Sequence, residues 1–404
     1  MVDRRRGEIP ALTGLRGLAC LLVVANHFYV MTRVTPELPP WMASVFGTSG
    51  IGMAIFFTLS GFVIALSYSH WDWRDRPAFN LLRLFFYRFA RLYPAFLLFA
   101  VIIILQTPAL DWLNDGTPGY VVDHLLLAQA WLPVKYDGQL SPGDHFHVSW
   151  SLSVECGLYF AFAIAAIVIA TLPAWRHKAA YLTAAYVIFA TVLLVSAWDW
   201  RAHLKPATFT DDEWWRWLMF FSPLGVSIQF VIGVIAYRLS LVSLPARLLL
   251  IGSNLGAIGL MALYLLIIEG AFNFGGIGNT LFTTLVALAT ALIMLGSRTD
   301  SAVSRLLSGT GILYIGTISY SLYLFHVFAA AMLLRIRFTA FDGKAAVYHA
   351  FTFLVALGLA IIIATGVYRL VEVPGRRYLR AVADRLLGIS SVATGPADVR
   401  TPAE

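Results

Sequence analysis

The chain has 404 residues, of which 59% are hydrophobic and 13% are charged, and its mean hydropathy is +0.76. A soluble domain carries roughly 25% charged residues, so this chain has too few charges to cover a surface that faces water. The formal net charge of +7 comes from basic residues that cluster between apolar runs, which indicates membrane topology and not a nucleic-acid groove. We therefore predict an integral membrane protein with no nucleic-acid partner.

Ten apolar segments are long enough for a membrane crossing, which takes about 20 residues. Because backbone groups in lipid must form hydrogen bonds within their own segment, we predict an all-α, polytopic fold. The predicted helices cover residues 11–32, 49–69, 86–106, 148–172, 179–198, 218–239, 246–268, 277–297, 311–334 and 347–370. We assign residues 1–380 to one transmembrane domain and residues 381–404 to a cytoplasmic tail without regular structure.

The basic residues predict the orientation of these helices, because Lys and Arg are enriched in cytoplasmic loops. With both termini in the cytoplasm, most of the 29 basic residues lie on the cytoplasmic side. The opposite side then holds only Arg33, Lys135, Arg201, Lys205, Arg216, Arg335, Arg337 and Lys344. This asymmetry supports an even number of spans and two cytoplasmic termini.

Three ionisable side chains lie deep in predicted helices, where such groups are costly and therefore informative. His27 lies in the first helix, His326 in the ninth, and Glu155 is the one acidic residue deep in a predicted span. From the rise of an α-helix, they lie between ~8 and ~13 Å below the outer ends of their helices. We expect an acid–base cluster in the outer half of the bilayer if the three helices are neighbours.

A histidine beside a carboxylate suits acyl transfer to a hydroxyl group. The imidazole of His27 would take the hydroxyl proton as the oxygen attacks a thioester, while Glu155 would hold the tautomer and stabilise the imidazolium. Apolar surroundings favour the neutral imidazole that a general base needs. The alternative interpretation is that each residue is a hydrogen-bonded packing residue, and a lone membrane histidine fits either one.

A basic cluster lies at the cytoplasmic ends of the first and third helices. Arg88 and Arg91 are three residues apart and share a helix face, and Arg16 begins the first helix. Guanidinium groups near a span suit bidentate capture of phosphates. Coenzyme A has phosphates at one end and a thioester on a long arm, so an acyl-CoA would enter from this end toward His27. Arg83, in contrast, is explained by the enrichment of basic residues in cytoplasmic loops alone.

Six segments stand in a recognisable order along the chain. They are LTGLRGLACLLVVANHF (12–28), FFTLSGFVI (56–64), YRFARLYP (87–94), WSLSVECGLYF (150–160), ISYSLYLFH (318–326) and VEVPGRRYL (371–379). Together they resemble the membrane acyltransferase 3 family, whose members acylate cell-surface glycans, lipids and secreted small molecules. One departure is Thr13, which stands where the family pattern Leu-Asp-Gly-Leu-Arg-Gly has an aspartate, so the role of that acid is absent or moved to Glu8.

The resemblance implies an enzyme, an acyltransferase that transfers groups other than amino-acyl groups. It implies that His27 and Glu155 are catalytic and that Arg16, Arg88 and Arg91 bind the acyl-CoA donor. The donor would come from the cytoplasm and the acceptor, expected to be a glycan, from outside the bacterial cytoplasmic (inner) membrane. Further candidates for the acceptor site or its support are His326, His145, Trp150, Ser153 and Ser319.

Acyl-CoA, by default acetyl-CoA, is the expected co-substrate, with no permanently bound cofactor and no metal. Cys20 and Cys156 lie in apolar stretches without metal-ligand spacing. The other expected partners are the hydroxyl acceptor, the lipid bilayer and a second copy in a homodimer. A proton-coupled transporter would use His27, Glu155 and His326 as a relay, and an acyltransferase for lipid or small-molecule acceptors would share the chemistry. Both alternatives stay open.

Overall fold

A computed structural model of the chain describes residues 9–32, 49–106, 118–131, 135–136, 139–140, 147–171, 186, 190, 210–268, 277–334 and 345–389. Helices dominate this part of the chain. It also contains one short antiparallel pairing, of β1 (Lys135–Tyr136) with β2 (Gln139–Leu140). The predicted all-α, polytopic fold is confirmed.

The helices follow the chain in an order close to the predicted one. Within the described ranges they are α1 (Pro10–Thr32), α2 (Ser49–Ser67), α3 (Pro77–Gln106), α4 (Pro118–Leu125), α5 (Trp150–Thr171), α6 (Asp211–Arg216), α7 (Pro223–Ser240), α8 (Ala246–Ile268), α9 (Ile277–Leu295), α10 (Ala302–Leu307), α11 (Thr310–Leu334), α12 (Ala345–Val367) and α13 (Val373–Leu386). Short 3-10 turns lie at His147–Ser149 and Gly296–Arg298, and π turns at Trp217–Phe221 and Tyr368–Glu372.

Nine stretches of the described helices are long and apolar enough to cross a membrane. Each corresponds to one of the predicted spans. The remaining predicted span, residues 179–198, lies outside the described residues except for positions 186 and 190. The even number of spans and the cytoplasmic location of both termini therefore stay predictions.

Two helix boundaries differ from the predicted ones. Helix α3 begins at Pro77 rather than at residue 86, and it continues through Pro94. Its first turns carry arginines and aromatic residues, which lower the hydropathy without preventing a helix. At the other end of the chain, the π turn joins α12 directly to α13, so the helix continues to Leu386 and not to residue 370.

Helix α13 spans the predicted domain boundary at residue 380. It has one apolar and one charged face, and α3 packs against it. The boundary at residue 380 falls inside this helix, because a count of apolar residues does not detect an amphipathic helix at the end of a span. Residues 390–404, most of the predicted tail, lie outside the described residues.

Helices α1 and α11 run parallel to each other and in register. Near one end, the Nε atom of Arg16 donates a hydrogen bond to the backbone oxygen of Gly316 at 3.0 Å. Farther along both helices, His27 lies beside His326. The sequence offset between partners is 300 in the first pair and 299 in the second, so the two helices keep the same alignment over several turns.

The backbones of α1 and α11 come very close at two glycines. A Cβ atom placed on Gly17 would lie 2.6 Å from the backbone oxygen of Ile312, and one on Gly316 would lie 1.9 Å from that of Thr13. Side chains would keep the helices apart, whereas small residues let membrane helices pack backbone to backbone. Glycine at these two positions therefore determines how closely α1 and α11 approach.

The other helices complete the bundle around this pair. Helix α2 packs against α1 and α7, α5 packs against α3, and α12 packs against α11. Helix α8 contacts mainly α9 and leaves large apolar side chains such as Leu255, Ile258 and Met261 exposed. Such a surface is unfavourable in water and suitable for contact with lipid.

Replacing Gly316 with alanine should lower the apparent melting temperature of the protein in detergent. The added methyl group must displace the backbone of α1, and overpacking of this kind costs about 1–3 kcal/mol. Gly311→Ala is the matched control, because a Cβ on Gly311, in the same helix, meets nothing within 4 Å. Alanine favours helix more than glycine does, so the control should melt at the same temperature or slightly higher. Equal losses in both variants would contradict the close contact.

Candidate functional site

A pocket among α1, α2, α3, α5 and α11 brings together half of the predicted site residues. It encloses about 880 Å³ of empty space, including its open mouth. Its wall is formed by Arg16, Met53, Phe56, Phe57, Leu59, Ser60, Val63, Arg88, Arg91, Leu92, Ser151, Leu152, Glu155, Tyr159, Ser319, Tyr320 and Tyr323. The wall is mainly apolar, with charged groups at few positions.

The three predicted arginines all reach this pocket. The guanidinium carbon of Arg88 lies 4.8 Å from the ring centre of Tyr159, and that of Arg91 lies 5.5 Å from the ring centre of Tyr320. Contacts of this kind hold a cation over the negative face of an aromatic ring. Arg88 and Arg91 line the same pocket as Arg16, as the sequence analysis expected. That these arginines bind the acyl donor stays a prediction.

A buried ion pair joins Arg91 to Glu372, an acid that the sequence analysis missed. Glu372 lies in the π turn after α12, and 1% of its side chain is exposed, against 12% for Arg91. The hydroxyl of Ser321 donates to the second carboxylate oxygen at 2.6 Å. Glu155 is thus not the only buried acid among the described residues. Glu372 was missed because it follows the predicted end of the last span by two residues.

Glu155 bonds to hydroxyl groups and not to a histidine. Its Oε1 atom accepts hydrogen bonds from the Ser60 hydroxyl at 2.5 Å and from the Tyr159 hydroxyl. Among the described residues, these are its hydrogen-bond partners, so the expected direct pair with His27 is not formed. Tyr159 follows Glu155 by one helical turn, a spacing that is visible in the sequence. The contact with Ser60, which lies on another helix, could not be predicted from the sequence.

The expected partner of His27 is replaced by another histidine. Its Nδ1 atom lies 2.8 Å from Nε2 of His326. The planes of the two rings differ by 3°, and the ring centres are 5.1 Å apart. This is the separation of two imidazoles that meet nitrogen to nitrogen in one plane, so the rings form an in-plane hydrogen bond and are not stacked face to face. The sequence placed these two residues at similar depth, and the structure brings them into contact.

The surroundings of His326 determine which nitrogen atoms carry protons. Its Nδ1 atom lies 2.8 Å from the backbone oxygen of Tyr323 and 3.2 Å from that of Leu322. A carbonyl oxygen only accepts hydrogen bonds, so this Nδ1 must donate. In the neutral ring, Nε2 of His326 is then an acceptor, and Nδ1 of His27 donates to it. Neutral His27 therefore carries its lone pair on Nε2.

Glu155 lies deeper than the histidine pair. The Ser151 and Tyr323 hydroxyls are 2.8 Å apart, and Tyr323 precedes His326 by about 5 Å along α11. Glu155 follows Ser151 by about 6 Å on α5, in the direction of the arginines. Glu155 thus lies on the arginine side of the two histidines and not level with them.

The remaining candidates fall into different surroundings. Ser319 lines the pocket, and Trp150 packs edge-on against Phe221 with ring centres 4.7 Å apart. Ser153 is fully buried, and its hydroxyl accepts from the backbone nitrogen of Ala130 at 3.1 Å, so it supports the segment after α4. His145 and Glu8 lie outside the described residues.

The fold and the site together define a polytopic membrane protein with a pocket among its helices, lined mainly by apolar residues and by a few charged ones. A family model described as an acyltransferase domain matches residues 9–368. The chain therefore belongs to the acyltransferase 3 family. Within the described residues, no group of three or more His, Cys, Asp or Glu side chains is arranged to hold a metal ion.

Relatives with curated names agree with this family. The chain is 30% identical over 243 residues to "Acyltransferase MdmB" of Streptomyces mycarofaciens. The aligned region covers 56% of each protein. It is 24% identical over 380 residues to a Staphylococcus aureus (strain COL) protein named "Putative O-acetyltransferase SACOL0978", covering 91% of this chain and 57% of that protein. The chain thus spans little more than half the length of these relatives. No solved structure matches it.

Replacing Glu372 with glutamine should destabilise the protein strongly. The substitution leaves the charge of Arg91 buried without its counter-ion, and breaking a buried pair in this way costs about 3–5 kcal/mol. Asp300→Asn is the matched control, because the pair of Asp300 with Arg305 is mostly exposed, at 84% and 66%, and exposed pairs contribute about 0–1 kcal/mol. Thermal unfolding of both variants measures the difference, and similar small shifts would contradict a structural role for the buried pair.

Proposed function

We propose that this chain moves an acyl group, by default acetyl, from a cytoplasmic acyl-CoA to a hydroxyl of a cell-surface or exported acceptor. A glycan is the first candidate acceptor, and the bacterial cytoplasmic (inner) membrane is the proposed location. The observation that carries this proposal is the arginine-lined pocket whose far end adjoins the histidine pair. The O-acetyltransferase name of the Staphylococcus aureus relative supports an acetyl group and an oxygen acceptor.

The pocket is suited to a thioester on a thin, flexible arm. Arginines line one part of it, and Tyr323 lines another part next to the histidines. The backbone oxygen of Tyr323 bonds to His326, and the ring centres of these two residues are 6.2 Å apart. An acyl group held beside Tyr323 would therefore lie within about one helical turn of the histidine pair.

His27 is the general base in this proposal. Its Nε2 atom takes the proton of the acceptor hydroxyl while the hydroxyl oxygen bonds to the thioester carbonyl carbon. The carbon–sulfur bond then breaks, and the CoA sulfur takes the proton from the imidazolium. The products are the acylated acceptor and free CoA, and His27 returns to its neutral form.

His326 serves the purpose first expected of Glu155. As an acceptor for the Nδ1–H of His27, it holds the tautomer in which Nε2 is basic, and it shares the positive charge when Nε2 is protonated. Glu155 keeps a role in the proposal, but at the donor. With Ser60 and Tyr159 holding its carboxylate, it can accept hydrogen bonds from the amide N–H groups of the pantetheine arm.

The hydrogen bonds of Glu155 weigh against the transporter alternative. It needs a relay through His27, His326 and Glu155, whereas the hydrogen bonds of Glu155 within the described residues go to hydroxyl groups. Membership of an acyltransferase family also favours the enzyme. Lipid and small-molecule acceptors share the proposed chemistry and are distinguished by the acceptor that gains the label. A homodimer remains a proposal about assembly.

Replacing His27 with alanine should abolish most of the transfer. Purified protein is incubated with labelled acetyl-CoA and envelope glycans, and CoA release and label on the acceptor are measured. The loss should be about 10²–10⁴-fold, the usual contribution of general base catalysis. His70→Ala is the control, since His70 is exposed and lies away from the pocket. Full activity in His27→Ala would exclude the base, and no transfer by the wild type to any hydroxyl acceptor would exclude the function.

The two substitutions His326→Leu and His326→Gln should differ. Leucine cannot accept the Nδ1–H of His27, so kcat should fall by about 10²-fold with little change in KM for acetyl-CoA. The amide oxygen of glutamine can accept it and should restore part of kcat. In ¹⁵N spectra of labelled histidine, the leucine variant alone should show His27 as a mixture of tautomers. Equal activity and equal spectra in both variants would argue against this role.

A further inference from the structure

A cluster of basic and aromatic side chains lies outside the pocket, where α3 meets α13. The guanidinium carbon of Arg83 is 5.1 Å from the ring centre of Tyr87, and that of Arg380 is 4.6 Å from the same centre. Arg83 also lies 4.6 Å from the ring centre of Trp71. Two cations from different helices thus approach one aromatic ring. We call Trp71, Arg83, Tyr87 and Arg380 the outer arginine cluster.

Hydrogen bonds hold this cluster in a defined arrangement. The Nε atom of Arg83 donates to the Tyr87 hydroxyl at 3.1 Å, and that hydroxyl donates to Oδ1 of Asp384 at 2.6 Å. Asp384 contributes one negative charge against the two positive ones, so the cluster keeps a net positive charge. Arg83, Tyr87 and Arg380 are all partly exposed, and a ligand from solution can reach them.

The outer arginine cluster stands on the same helix as the pocket arginines. Arg83 precedes Arg91 by about 12 Å along α3. In acyl-CoA, the phosphates are carried by the nucleotide at one end, and the pantetheine arm that leads to the thioester spans more than this distance. A nucleotide bound at Arg83 would therefore leave the arm long enough to enter the pocket.

The pocket arginines themselves are poorly placed for the phosphates. Arg88 is 6% exposed, and Arg91 is paired with Glu372. Bringing several phosphate charges to that depth would remove them from water at high cost. The outer cluster offers guanidinium groups, which bind phosphate oxygens in pairs, on side chains that are partly exposed. This differs from the sequence interpretation, in which topology alone explained Arg83.

We propose that Arg83 and Arg380 bind the phosphate-bearing nucleotide end of acyl-CoA, with Tyr87 holding both guanidinium groups in place. Trp71 forms the aromatic side of this site next to Arg83. The proposal rests on the proposed function, because it names the part of the donor that this cluster recognises. An anionic lipid headgroup offers the same phosphate chemistry, and the experiment separates the two sources.

The test compares acetyl-CoA with S-acetylpantetheine, a donor that has the thioester and the arm but no nucleotide. Arg83→Gln and Arg380→Gln should each raise KM for acetyl-CoA about 10-fold or more, the loss expected for a charge-assisted phosphate contact, with kcat little changed. KM for S-acetylpantetheine should not change. Arg385→Gln is the matched control, because Arg385 is exposed and lies on α13, as Arg380 does. It should leave KM for both donors unchanged.

Two results would overturn the proposal. Equal KM increases for both donors would indicate that the substitutions only distort α3 or α13, which melting temperatures of the variants check independently. A KM effect that is present in nanodiscs of anionic lipid and absent in nanodiscs of neutral lipid would assign the cluster to a lipid phosphate.

Failure of the proposed function is distinguishable from failure of the cluster. If the wild type transfers acyl groups from neither donor, binding of CoA and of adenosine 3′,5′-bisphosphate is measured by calorimetry. Weaker binding in Arg83→Gln and Arg380→Gln than in the wild type and Arg385→Gln would support the site. Equal binding in all four proteins would overturn it.

Discussion

Gly17 and Gly316 allow α1 and α11 to touch backbone to backbone, and the position of the histidine pair depends on that contact. The two helices are parallel and rise by the same amount per residue, so an alignment made at the glycines is kept about ten residues farther on. There it brings His27 and His326 to a hydrogen-bonding distance of 2.8 Å. A shift of one residue would rotate each side chain by about 100° and separate the pair.

Charge in this bundle is arranged by depth. Arg91 lies deep and has a counter-ion in Glu372. Arg83 and Arg380 lie at a partly exposed level, where the solvent lowers the cost of a net charge. The histidine pair lies farthest from both groups, in surroundings that are mainly apolar. A donor whose charged end lies at Arg83 and Arg380 and whose neutral, reactive end points toward the histidine pair would match this arrangement of charge.

Hydropathy was sufficient to predict the nine apolar spans of the described residues and to identify His27 and His326 as residues at similar depth. It could not predict the partner of Glu155, because depth does not say which helices are neighbours or which way a side chain points. It also missed Glu372, since the π turn keeps a helix going where the apolar run ends. The sequence analysis explained Arg83 by the enrichment of basic residues in cytoplasmic loops. The packing of α13 on α3 places Arg380 over the same Tyr87 ring as Arg83. For Glu155 and Arg83, what escaped prediction is contact between residues far apart in sequence.

The histidine pair has one more consequence, for the electric field across the membrane. A transmembrane voltage exerts a force on any net charge within the bilayer, worth about 2.3 kcal/mol per elementary charge for a full crossing at 100 mV. A histidine–carboxylate pair would carry a permanent charge in that field. Two neutral imidazoles would carry none, so under the proposed function the resting pair would be insensitive to changes in membrane voltage, and charge would exist there only during transfer.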